Sequence, residues 1–361
     1  MRILFCGGGT AGHVYPNIAI AETFLKNDMT TKLAYVVTVN GIENKLINFK
    51  KYTIDVQGFN KSLSLSNFKK IRLLTEAICE SKRIINEFRP DIIVGTGGYA
   101  TFPVVYAGSK LGIKAVLHES NAVPGKAIKM LEKKVDKIFV NFEKSKEYFK
   151  NKDKVVITGN PLRQEYYSIK KSYAREQLKI CEKHVVLCFG GSLGATAVNN
   201  AAIELIDNLI KYREDILFIW GTGKKEYKKC IGEINKKGLS KLKNIRVLEY
   251  IDDMPKVLAS SDVVICRSGA MTVSEVSILG KCTVFIPSPN VTNNHQFKNA
   301  KAISDENGAF IITENVIYKL TDTVKELLEN SEQRHLMEKN IKKFSNIDAN
   351  KTIYMEILNL L

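Results

Sequence analysis

The sequence predicts an α/β protein of two domains, each with a parallel β-sheet flanked by helices. Three observations support this class. The chain has 361 residues, more than a single hydrophobic core usually accommodates. Short apolar runs rich in β-branched residues alternate with helix-length amphipathic segments, as in βαβ units. A glycine-rich turn follows the first predicted strand of each half, so the two halves resemble one another.

The predicted strands fall into two groups, separated by a charged stretch that begins after the Gly-Asn-Pro at 159–161. In the first half they span 2–6, 32–39, 52–57, 91–95, 114–119, 137–141 and 155–158. In the second half they span 184–189, 216–220, 244–248, 262–266, 283–286 and 309–312. We therefore expect two Rossmann-like domains facing each other across a cleft, with ligands at the carboxyl ends of the strands.

The composition limits the setting and the partners. The formal net charge of +16 favours phosphorylated small molecules, nucleic acid or an anionic membrane surface as partners, unless it only reflects a lysine-rich surface. No RRM, KH or zinc-finger signature is present, so nucleic acid is not expected. The seven cysteines include no C-x-x-C pair. No apolar run reaches the roughly 20 residues that cross a bilayer, and no secretory signal precedes the first strand, so we expect a cytosolic chain.

The first glycine-rich turn, at 7–12, matches the dinucleotide-binding pattern G-x-G-x-x-G and brings an NAD-dependent oxidoreductase into consideration. Such a turn lets backbone N–H groups approach a phosphate at the start of a helix. An oxidoreductase also needs an acidic residue at the end of the second strand to hold the ribose. That strand ends at 37–40 with no carboxylate before Glu43, which disfavours the oxidoreductase.

His13 follows the third glycine of this turn and stands at the start of the first predicted helix. A lone histidine in such a place is usually a surface or capping residue. Beside a phosphate-binding turn, however, its ring would project into the cleft, where an imidazole can accept a proton near neutral pH. His13 is therefore a candidate general base.

The second half carries residues suited to a nucleotide diphosphate. Ser192 lies in the glycine-rich turn 190–195, where its hydroxyl and the neighbouring amides can bind a diphosphate. Glu275 lies about one turn into the helix that follows 267–269, where a carboxylate can accept both hydroxyls of a ribose or simply complement the helix dipole. No D-x-D motif occurs. We expect no metal, and a leaving diphosphate neutralised by amides, helix N-termini and an arginine.

Two polar clusters follow other predicted strands. They are His118-Glu119-Ser120-Asn121 and Asn293-Asn294-His295-Gln296. Amides and carboxylates of this kind suit hydroxyl-rich ligands, but they are equally common in ordinary turns.

Eight segments, in this order, resemble the MurG family, the UDP-N-acetylglucosamine:N-acetylmuramyl-(pentapeptide)-pyrophosphoryl-undecaprenol N-acetylglucosaminyltransferases. They are GGGTAGHVYPN (7–17), GTGGYATFP (95–103), HESNAVPG (118–125), GNPLR (159–163), GGSLGA (190–195), YIDDM (250–254), RSGAMTVSE (267–275) and NNHQFKNA (293–300). Eight collinear segments are a specific match. Two departures are visible: Ala11 stands where many members have glycine, and His295-Gln296 where some have a glutamine pair.

The resemblance implies an inverting glycosyltransferase of the GT-B type, without a cofactor. It would transfer N-acetylglucosamine from UDP-N-acetylglucosamine to the 4-hydroxyl of the N-acetylmuramyl unit of lipid I, an undecaprenyl diphosphate, giving lipid II for peptidoglycan synthesis. Residues 1–162 would bind the acceptor and the membrane, and 163–340 the UDP-sugar, with 341–361 packing back on the first domain. The implied localisation is peripheral, at the cytoplasmic face of the cell membrane.

The resemblance also implies roles for individual residues. Ser192 and Arg163 would contact the diphosphate. Glu275 would contact the ribose, and the backbone of Ile251 would contact the uracil. The turn that would line the nucleotide consists of Ala270, Met271, Thr272, Val273 and Ser274, and the sugar contacts are Gln296 and Asn121. Those near the donor sugar and the acceptor are Thr10, Ala11 and Gly12. The general base stays open between His13 and Glu119, which could instead orient His13.

The segment 66–88 is the predicted membrane-docking face, because lipid I cannot leave the bilayer. Its apolar residues at helical spacing are Phe68, Ile71, Leu74, Ile78 and Ile85, and the nearby cations are Lys69, Lys70, Arg72, Lys82 and Arg83. Such a stripe suits an anionic interface, although most stripes pack on a sheet. We therefore expect part of it to be buried, with Leu63, Leu65, Phe68 or Leu73 exposed near its start.

Three alternatives remain at this level. Another lipid glycosyltransferase of the GT-B type and a UDP-N-acetylglucosamine 2-epimerase share the two-domain plan. A basic membrane- or nucleic-acid-binding module would release no UDP with any acceptor.

Overall fold

The computed structural model describes residues 1–57, 66–291 and 294–361, and within 66–70 the backbone only. The chain forms two compact units. Unit 1 comprises Met1–Gln164 and Asn346–Leu361, and unit 2 comprises Glu165–Ser345. The sequence-based expectation divides the chain after 162 and begins the returning segment at 341.

Each unit contains one parallel sheet. The strands of unit 1 are β1 (Arg2–Cys6), β2 (Lys32–Thr38), β3 (Lys50–Ile54), β4 (Ile92–Gly95), β5 (Lys114–Glu119), β6 (Lys137–Val140) and β7 (Val155–Ile157). Those of unit 2 are β8 (His184–Phe189), β9 (Ile216–Gly221), β10 (Ile245–Leu248), β11 (Val263–Cys266), β12 (Cys282–Phe285) and β13 (Ala309–Ile311). The orders are β3-β2-β1-β4-β5-β6-β7 and β10-β9-β8-β11-β12-β13. The direction of winding therefore reverses beside β1 and beside β8, which are the topological switch points.

Helices connect successive strands in both units. In unit 1 the first five are α1 (Ala11–Asn27), α2 (Glu43–Leu46), α3 (Ser66–Phe88), α4 (Thr101–Lys110) and α5 (Lys126–Leu131). In unit 2 they are α6 (Glu165–Ser168), α7 (Lys171–Gln177), α8 (Thr196–Asn208), α9 (Tyr227–Lys236), α10 (Met254–Ser260), α11 (Ala270–Ile278), α12 (His295–Ser304), α13 (Leu320–Glu329) and α14 (Ser331–Ile341). The last helix, α15 (Ala349–Leu358), returns to unit 1.

The predicted α/β class with two parallel sheets is confirmed. All thirteen predicted strands are observed, and their ends differ from the prediction by no more than three residues. The reason is that nearly every central strand is buried on both faces, so it appears in the sequence as a continuous apolar run. Strand β8, for example, is buried at all six positions.

The C-terminal helix completes the core of unit 1. Ile353 and Ile357 of α15 are fully buried in the same cluster as Phe24 of α1. The Phe24 and Tyr354 rings lie 4.7 Å apart between centroids. Asn350 fixes the position of α15, since its side chain accepts from the Leu162 N–H at 3.0 Å and donates to the Leu162 carbonyl at 2.8 Å.

Helix α3 divides its stripe between the core and the solvent. Ile85 is buried, whereas Leu74 and Ile78 are half-buried against the core of unit 1. Ile71 is 53% exposed, and Leu73, expected to be exposed, is half-buried. Leu63 and Leu65 lie outside the described residues, as do the side chains of Phe68, Lys69 and Lys70. The C-terminal half of α3 therefore anchors the helix, and its N-terminal part presents Ile71 to solvent.

His118, at the end of β5, is a core residue, so within its polar cluster it is not exposed to a hydroxyl-rich ligand. Its side chain is fully buried, and its Nε2 lies 3.2 Å from the Gly159 carbonyl oxygen. Nδ1 has no hydrogen-bond partner among the described residues. Burial lowers the pKa of His118 to about 4, although the bond to Gly159 opposes the shift. The side chain is therefore neutral at physiological pH.

We predict that His118 makes unit 1 sensitive to mild acid. The unfolded chain takes up a proton near pH 6.5, whereas the folded protein resists protonation down to about pH 4. The contribution of neutral His118 to the free energy of unfolding is therefore fully present above pH 6.5. It is lost as the pH falls from 6.5 towards 4, and the loss is about 2 kcal/mol at pH 5. Chemical denaturation at pH 7.5 and pH 5 should show a smaller loss in His118→Gln than in the wild type. His335→Gln, at an exposed histidine, is the control, and equal losses in all three proteins would contradict the prediction.

Candidate active site

The loops that follow β1 and β4 meet at the switch point of unit 1. The Gly8 N–H donates to the Gly97 carbonyl at 3.3 Å. Gly98 has a φ of +79°, and a Cβ atom there would overlap the carbonyl oxygen of Gly8. The backbones of the two loops are therefore in direct contact. Only glycine permits so close an approach, because it has no side chain.

His13 lies in the first turn of α1, beside this contact. Its Nδ1 lies 3.1 Å from the Gly8 carbonyl oxygen and 3.3 Å from Thr10 Oγ1. Because a carbonyl oxygen only accepts, the contact with Gly8 places the ring hydrogen on Nδ1 and leaves the lone pair of the neutral imidazole on Nε2. The ring is half-buried and packs beside Gly97, where a Cβ atom would lie 3.2 Å from Nε2. In this tautomer Nε2 is the ring nitrogen that can accept a proton.

The glycines of the first loop are explained by contacts within the chain itself. The carboxylate of Glu43, on α2, is fully buried and accepts from the Gly9 N–H at 3.3 Å. A Cβ atom on Gly8 would lie 2.5 Å from Glu43 Oε1. The space against the loop is therefore occupied by a carboxylate of the chain itself. This arrangement argues further against a bound dinucleotide phosphate at the same place.

The N-terminus of α1 is open to solvent in unit 1. Thr10 is the N-cap residue and is exposed, while Ala11 and Gly12 are partly exposed. The first turn contains no acidic residue, so the positive end of the helix dipole is not neutralised by the helix itself. These three predicted residues thus lie together at a position that favours an anionic or strongly polar group.

Glu119 is buried at the end of β5 and organises the turn that follows it. Its Oε1 accepts from the N–H of Asn121 at 2.8 Å and from the Asn121 side-chain amide at 3.0 Å. Its Oε2 accepts from the Gly125 N–H at 2.7 Å. Both carboxylate oxygens are therefore engaged within the turn, and Glu119 fixes the position of Asn121.

Arg163 belongs to unit 1 by position. Its guanidinium lies 5.3 Å from the centroid of the Tyr15 ring, on α1. Stacking on an aromatic ring restricts the long side chain without neutralising its charge. This contact places the Arg163 guanidinium near the N-terminal part of α1.

In unit 2 the loop after β8 adopts a different arrangement. Gly191 has a φ of +101°, and a Cβ atom there would meet nothing within 4 Å. Ser192 is half-exposed beside it. Gly194, with a φ of +89°, packs against the Thr222 carbonyl, and a side chain on Gly223 would overlap the Gly194 backbone. One end of the loop is therefore fixed, and open space lies beside Gly191, the neighbour of Ser192.

A buried network that the sequence analysis missed supports this loop from below. The Trp220 indole N–H donates to Asn199 Oδ1 at 3.0 Å, and Asn199 Nδ2 donates to the Thr222 carbonyl at 2.9 Å. All three residues are buried. The signal for it was the single tryptophan of the chain, at the end of a strand, because a buried indole N–H needs an acceptor.

The segment 267–269 connects β11 to α11 and is held by its own side chains. Arg267 donates to the Ile286 carbonyl at 2.9 Å and pairs with Glu314 at 2.6 Å. The Ser268 hydroxyl donates to the backbone carbonyl of Gln296 at 2.9 Å. The Gln296 side-chain oxygen accepts from the Ser288 N–H at 2.9 Å. These bonds place Gln296 beside the start of α11. Asn293, from the same predicted cluster, lies outside the described residues.

Ala270–Ser274 form the first turns of α11, the helix expected directly after 267–269. The side chains of Ala270, Met271, Val273 and Ser274 are buried, and Thr272 is half-exposed. These side chains are directed into the core, and the backbone N–H groups of the first turn have no partner within the helix. Glu275, one turn further, is half-exposed.

Ile251 lies in the loop between β10 and α10. Its side chain is 5% exposed and packs on Gly221, where a Cβ atom would lie 2.9 Å from Ile251 Cδ1. Its backbone is therefore the part that a ligand could contact. Nearby, the Lys224 ammonium lies 5.4 Å from the Tyr250 ring centroid, a pair that the sequence analysis did not single out.

Two features are absent from the described residues. No helix there is both long and apolar enough to cross a bilayer. No group of three or more His, Cys, Asp or Glu side chains in the same residues is arranged to hold a metal ion.

Comparison with known proteins places this geometry in a family. Residues 3–140 match the glycosyltransferase family 28 N-terminal domain, and residues 185–353 match the family 28 C-terminal domain. The chain is 37% identical over 366 residues to the UDP-N-acetylglucosamine–N-acetylmuramyl-(pentapeptide) pyrophosphoryl-undecaprenol N-acetylglucosamine transferase of Thermoanaerobacter sp. (strain X514), covering 100% of both chains.

Solved structures agree with this relationship. MurG of Acinetobacter baumannii is 25% identical, with a TM-score of 0.74 and coverage of 99% of both chains. The UDP-GlcNAc 2-epimerase of Neisseria meningitidis, solved with UDP-GlcNAc, has a TM-score of 0.69 at 17% identity, with coverage of 99% of this chain and 100% of that chain, which shows a shared fold alone. The resemblance found in the sequence is thus confirmed over the whole length. The chain belongs to the family of the UDP-N-acetylglucosamine–N-acetylmuramyl-(pentapeptide) pyrophosphoryl-undecaprenol N-acetylglucosamine transferases.

Proposed function

We propose that this protein transfers N-acetylglucosamine from UDP-N-acetylglucosamine to the 4-hydroxyl of the N-acetylmuramyl unit of lipid I, giving lipid II and UDP for peptidoglycan synthesis. The observation that carries the proposal is the full-length match to relatives whose names state this reaction. The reaction inverts the anomeric carbon. The acceptor oxygen forms a bond to that carbon on one face, and the bond to the UDP oxygen breaks on the other.

Unit 2 binds the donor in this proposal. The open end of the loop around Ser192 and the start of α11 offer hydroxyl and backbone groups to a diphosphate. Glu275, half-exposed one turn into α11, accepts the two ribose hydroxyls, and the Ile251 backbone meets the uracil. Gln296 and Asn121 contact the sugar. Arg163 and the helix N-termini balance the charge of the leaving UDP.

Unit 1 supplies the base and binds the acceptor. The contact with the Gly8 carbonyl leaves the lone pair of His13 on Nε2, so Nε2 takes the proton of the acceptor hydroxyl as the new bond forms. UDP leaves with the electron pair of the broken bond. Thr10, Ala11 and Gly12, at the open end of α1, approach the acceptor and the donor sugar. Glu119 holds the turn of Asn121 and is the alternative base.

The proposed reaction is tested by incubating the purified protein with a panel of UDP-sugars and a lipid I analogue. UDP release and product formation should require UDP-N-acetylglucosamine and the acceptor together. Conversion of UDP-N-acetylglucosamine at C2 without acceptor would identify an epimerase instead. UDP release with a different lipid acceptor only would identify another lipid glycosyltransferase.

We predict that Glu275→Ala raises the donor KM by about 10- to 100-fold with little change in kcat. A carboxylate that accepts two ribose hydroxyls contributes equally in the ground and transition states, at about 1.5–3 kcal/mol. Steady-state kinetics with varied donor measure this effect. The control is Glu332→Ala, which removes an acidic residue from the first turn of α14. If Glu275→Ala lowered only stability, as the control would, then Glu275 serves the helix dipole and not the ribose.

We predict that His13→Ala lowers kcat by about 10²- to 10⁴-fold, the usual range for a lost general base, and leaves the donor KM nearly unchanged. The kcat–pH profile should also lose its acidic limb, because no imidazole remains to be protonated. His335→Ala, at an exposed histidine of unit 2, should behave as the wild type. Near-normal turnover of His13→Ala would assign the base to Glu119 or to solvent.

Membrane association is part of the proposal, with the protein peripheral at the cytoplasmic face of the cell membrane. Lipid I remains in the bilayer, so the protein must bring unit 1 to the surface. Exposed Ile71 and Arg72 of α3 continue the segment that contains Phe68, Lys69 and Lys70. An apolar side chain with neighbouring cations suits an anionic interface, where each cation contributes about 1 kcal/mol.

We predict that the triple variant Phe68→Ser, Lys69→Glu and Lys70→Glu loses at least about 10-fold in binding to anionic vesicles, because two attractive charges become repulsive. Co-sedimentation with anionic and neutral vesicles at low and high salt measures this loss. The matched control is Tyr318→Ser with Lys319→Glu and Lys325→Glu, on exposed positions of unit 2. Equal binding by all three proteins, or binding indifferent to lipid charge and salt, would exclude this face.

A further inference from the structure

A fully buried carboxylate, that of Glu43, lies under the first glycine-rich loop. The proposed mechanism gives it no role. Glu43 opens α2, just beyond the end of β2. Its Oε1 accepts from the Thr38 N–H at 2.9 Å and from the Thr38 hydroxyl at 2.7 Å. Its Oε2 accepts from the Gly9 N–H at 3.3 Å. Three donors on two segments therefore converge on one buried side chain.

The carboxylate leaves no space for side chains around it. A Cβ atom on Gly8 would lie 2.5 Å from Glu43 Oε1, and a Cβ atom on Gly41 would overlap the same carboxylate. On its other side Gly8 meets the backbone of Gly97 and Gly98. Gly8 is therefore held between the carboxylate and the loop after β4, with little freedom to rotate its peptide.

The held peptide is the one that contacts the proposed base. The Gly8 carbonyl lies 3.1 Å from His13 Nδ1 and so keeps the ring hydrogen on that nitrogen. The phenol of the fully buried Tyr35 holds the preceding peptide, since it donates to the Gly7 carbonyl at 2.7 Å. A continuous series of contacts thus runs from Glu43 through Gly8 to the imidazole, without contact between the carboxylate and the ring.

We infer that Glu43 is a positioning residue for His13: it holds the Gly8–Gly9 peptides so that the Gly8 carbonyl fixes the imidazole with Nε2 as the proton acceptor. The inference rests on the proposed role of His13 as base. Glu43 touches no substrate and transfers no proton. Its effect is on the fraction of molecules whose imidazole is placed to act, because small displacements of a catalytic group cost up to about 100-fold in rate.

The test is a double-mutant cycle between Glu43→Gln and His13→Ala. Glutamine keeps the size of the side chain, but its NH₂ group must face either the Gly9 N–H or the two donors of Thr38, so one side of the clamp is released. We expect Glu43→Gln to lower kcat by about 10- to 100-fold with the donor KM unchanged. In the His13→Ala background the same substitution should change kcat by less than about 2-fold, because the group it positions is gone.

The matched control is Glu132→Gln. Glu132 is also a buried carboxylate of unit 1, and its Oε1 accepts from the backbone N–H groups of Lys150 and Asn151. The described contacts of Glu132 do not include the loop of His13, so its substitution should leave kcat within about 2-fold. Thermal melting and UDP binding report whether each variant remains folded. Thr38→Val, which removes one hydroxyl donor to Glu43, is a milder second variant and should lower kcat by a smaller factor than Glu43→Gln.

The outcomes separate the inference from the function on which it rests. If His13→Ala keeps near-normal turnover, the proposed base is wrong. If His13→Ala loses turnover but Glu43→Gln does not, the positioning role is wrong and the base stands. If Glu43→Gln lowers kcat equally in both backgrounds, or Glu132→Gln lowers it as much, Glu43 supports only the stability of unit 1, and the inference is overturned.

Discussion

The arrangement of unit 1 depends on one contact between backbones at its switch point. Gly8, in the loop after β1, touches Gly97 and Gly98, in the loop after β4, and a side chain on Gly98 would overlap Gly8. Neither loop can therefore move without the other. Since the carbonyl of Gly8 also lies within hydrogen-bond distance of His13 Nδ1, this packed backbone helps to orient the imidazole. The parallel sheet imposes this meeting, because it brings the carboxyl ends of β1 and β4 together.

Unit 2 repeats the motif and uses it differently. Its loop after β8 is fixed at one end, where Gly194 packs against Thr222 and Gly223, and is open at the other, around Gly191. The equivalent space in unit 1 is filled by the carboxylate of Glu43. Two loops with similar sequences therefore differ in what they offer. The first contacts a histidine, and the second leaves open space beside Gly191, the neighbour of Ser192.

Several polar residues of the recognisable segments hold the loops of their own unit in place instead of facing solvent. Arg267 binds the Ile286 carbonyl and Glu314, Ser268 binds the Gln296 backbone, and both oxygens of Glu119 bind the turn after β5. Buried polar groups need partners, so a loop rich in such groups acquires one conformation. The same residues then place their neighbours, among them Asn121, Glu275 and Gln296, at defined positions.

The sequence by itself determined the strands, the two parallel sheets and the family. Buried strands appear in the sequence as apolar runs, and glycine-rich loops appear as glycines at fixed spacing. Both are local signals. It also nominated His13, because a histidine after the third glycine is a local pattern. Only the tertiary structure decided the surroundings. Glu43 looked too distant from the end of β2 to matter, yet α2 folds it back under Gly9. His118 belongs to a polar cluster of the sequence, but successive residues of a strand point to opposite faces of the sheet, and its ring lies in the core. Contacts between segments that are distant in the chain produce no periodic pattern in the amino-acid sequence. The tautomer that such contacts favour is therefore also not visible there.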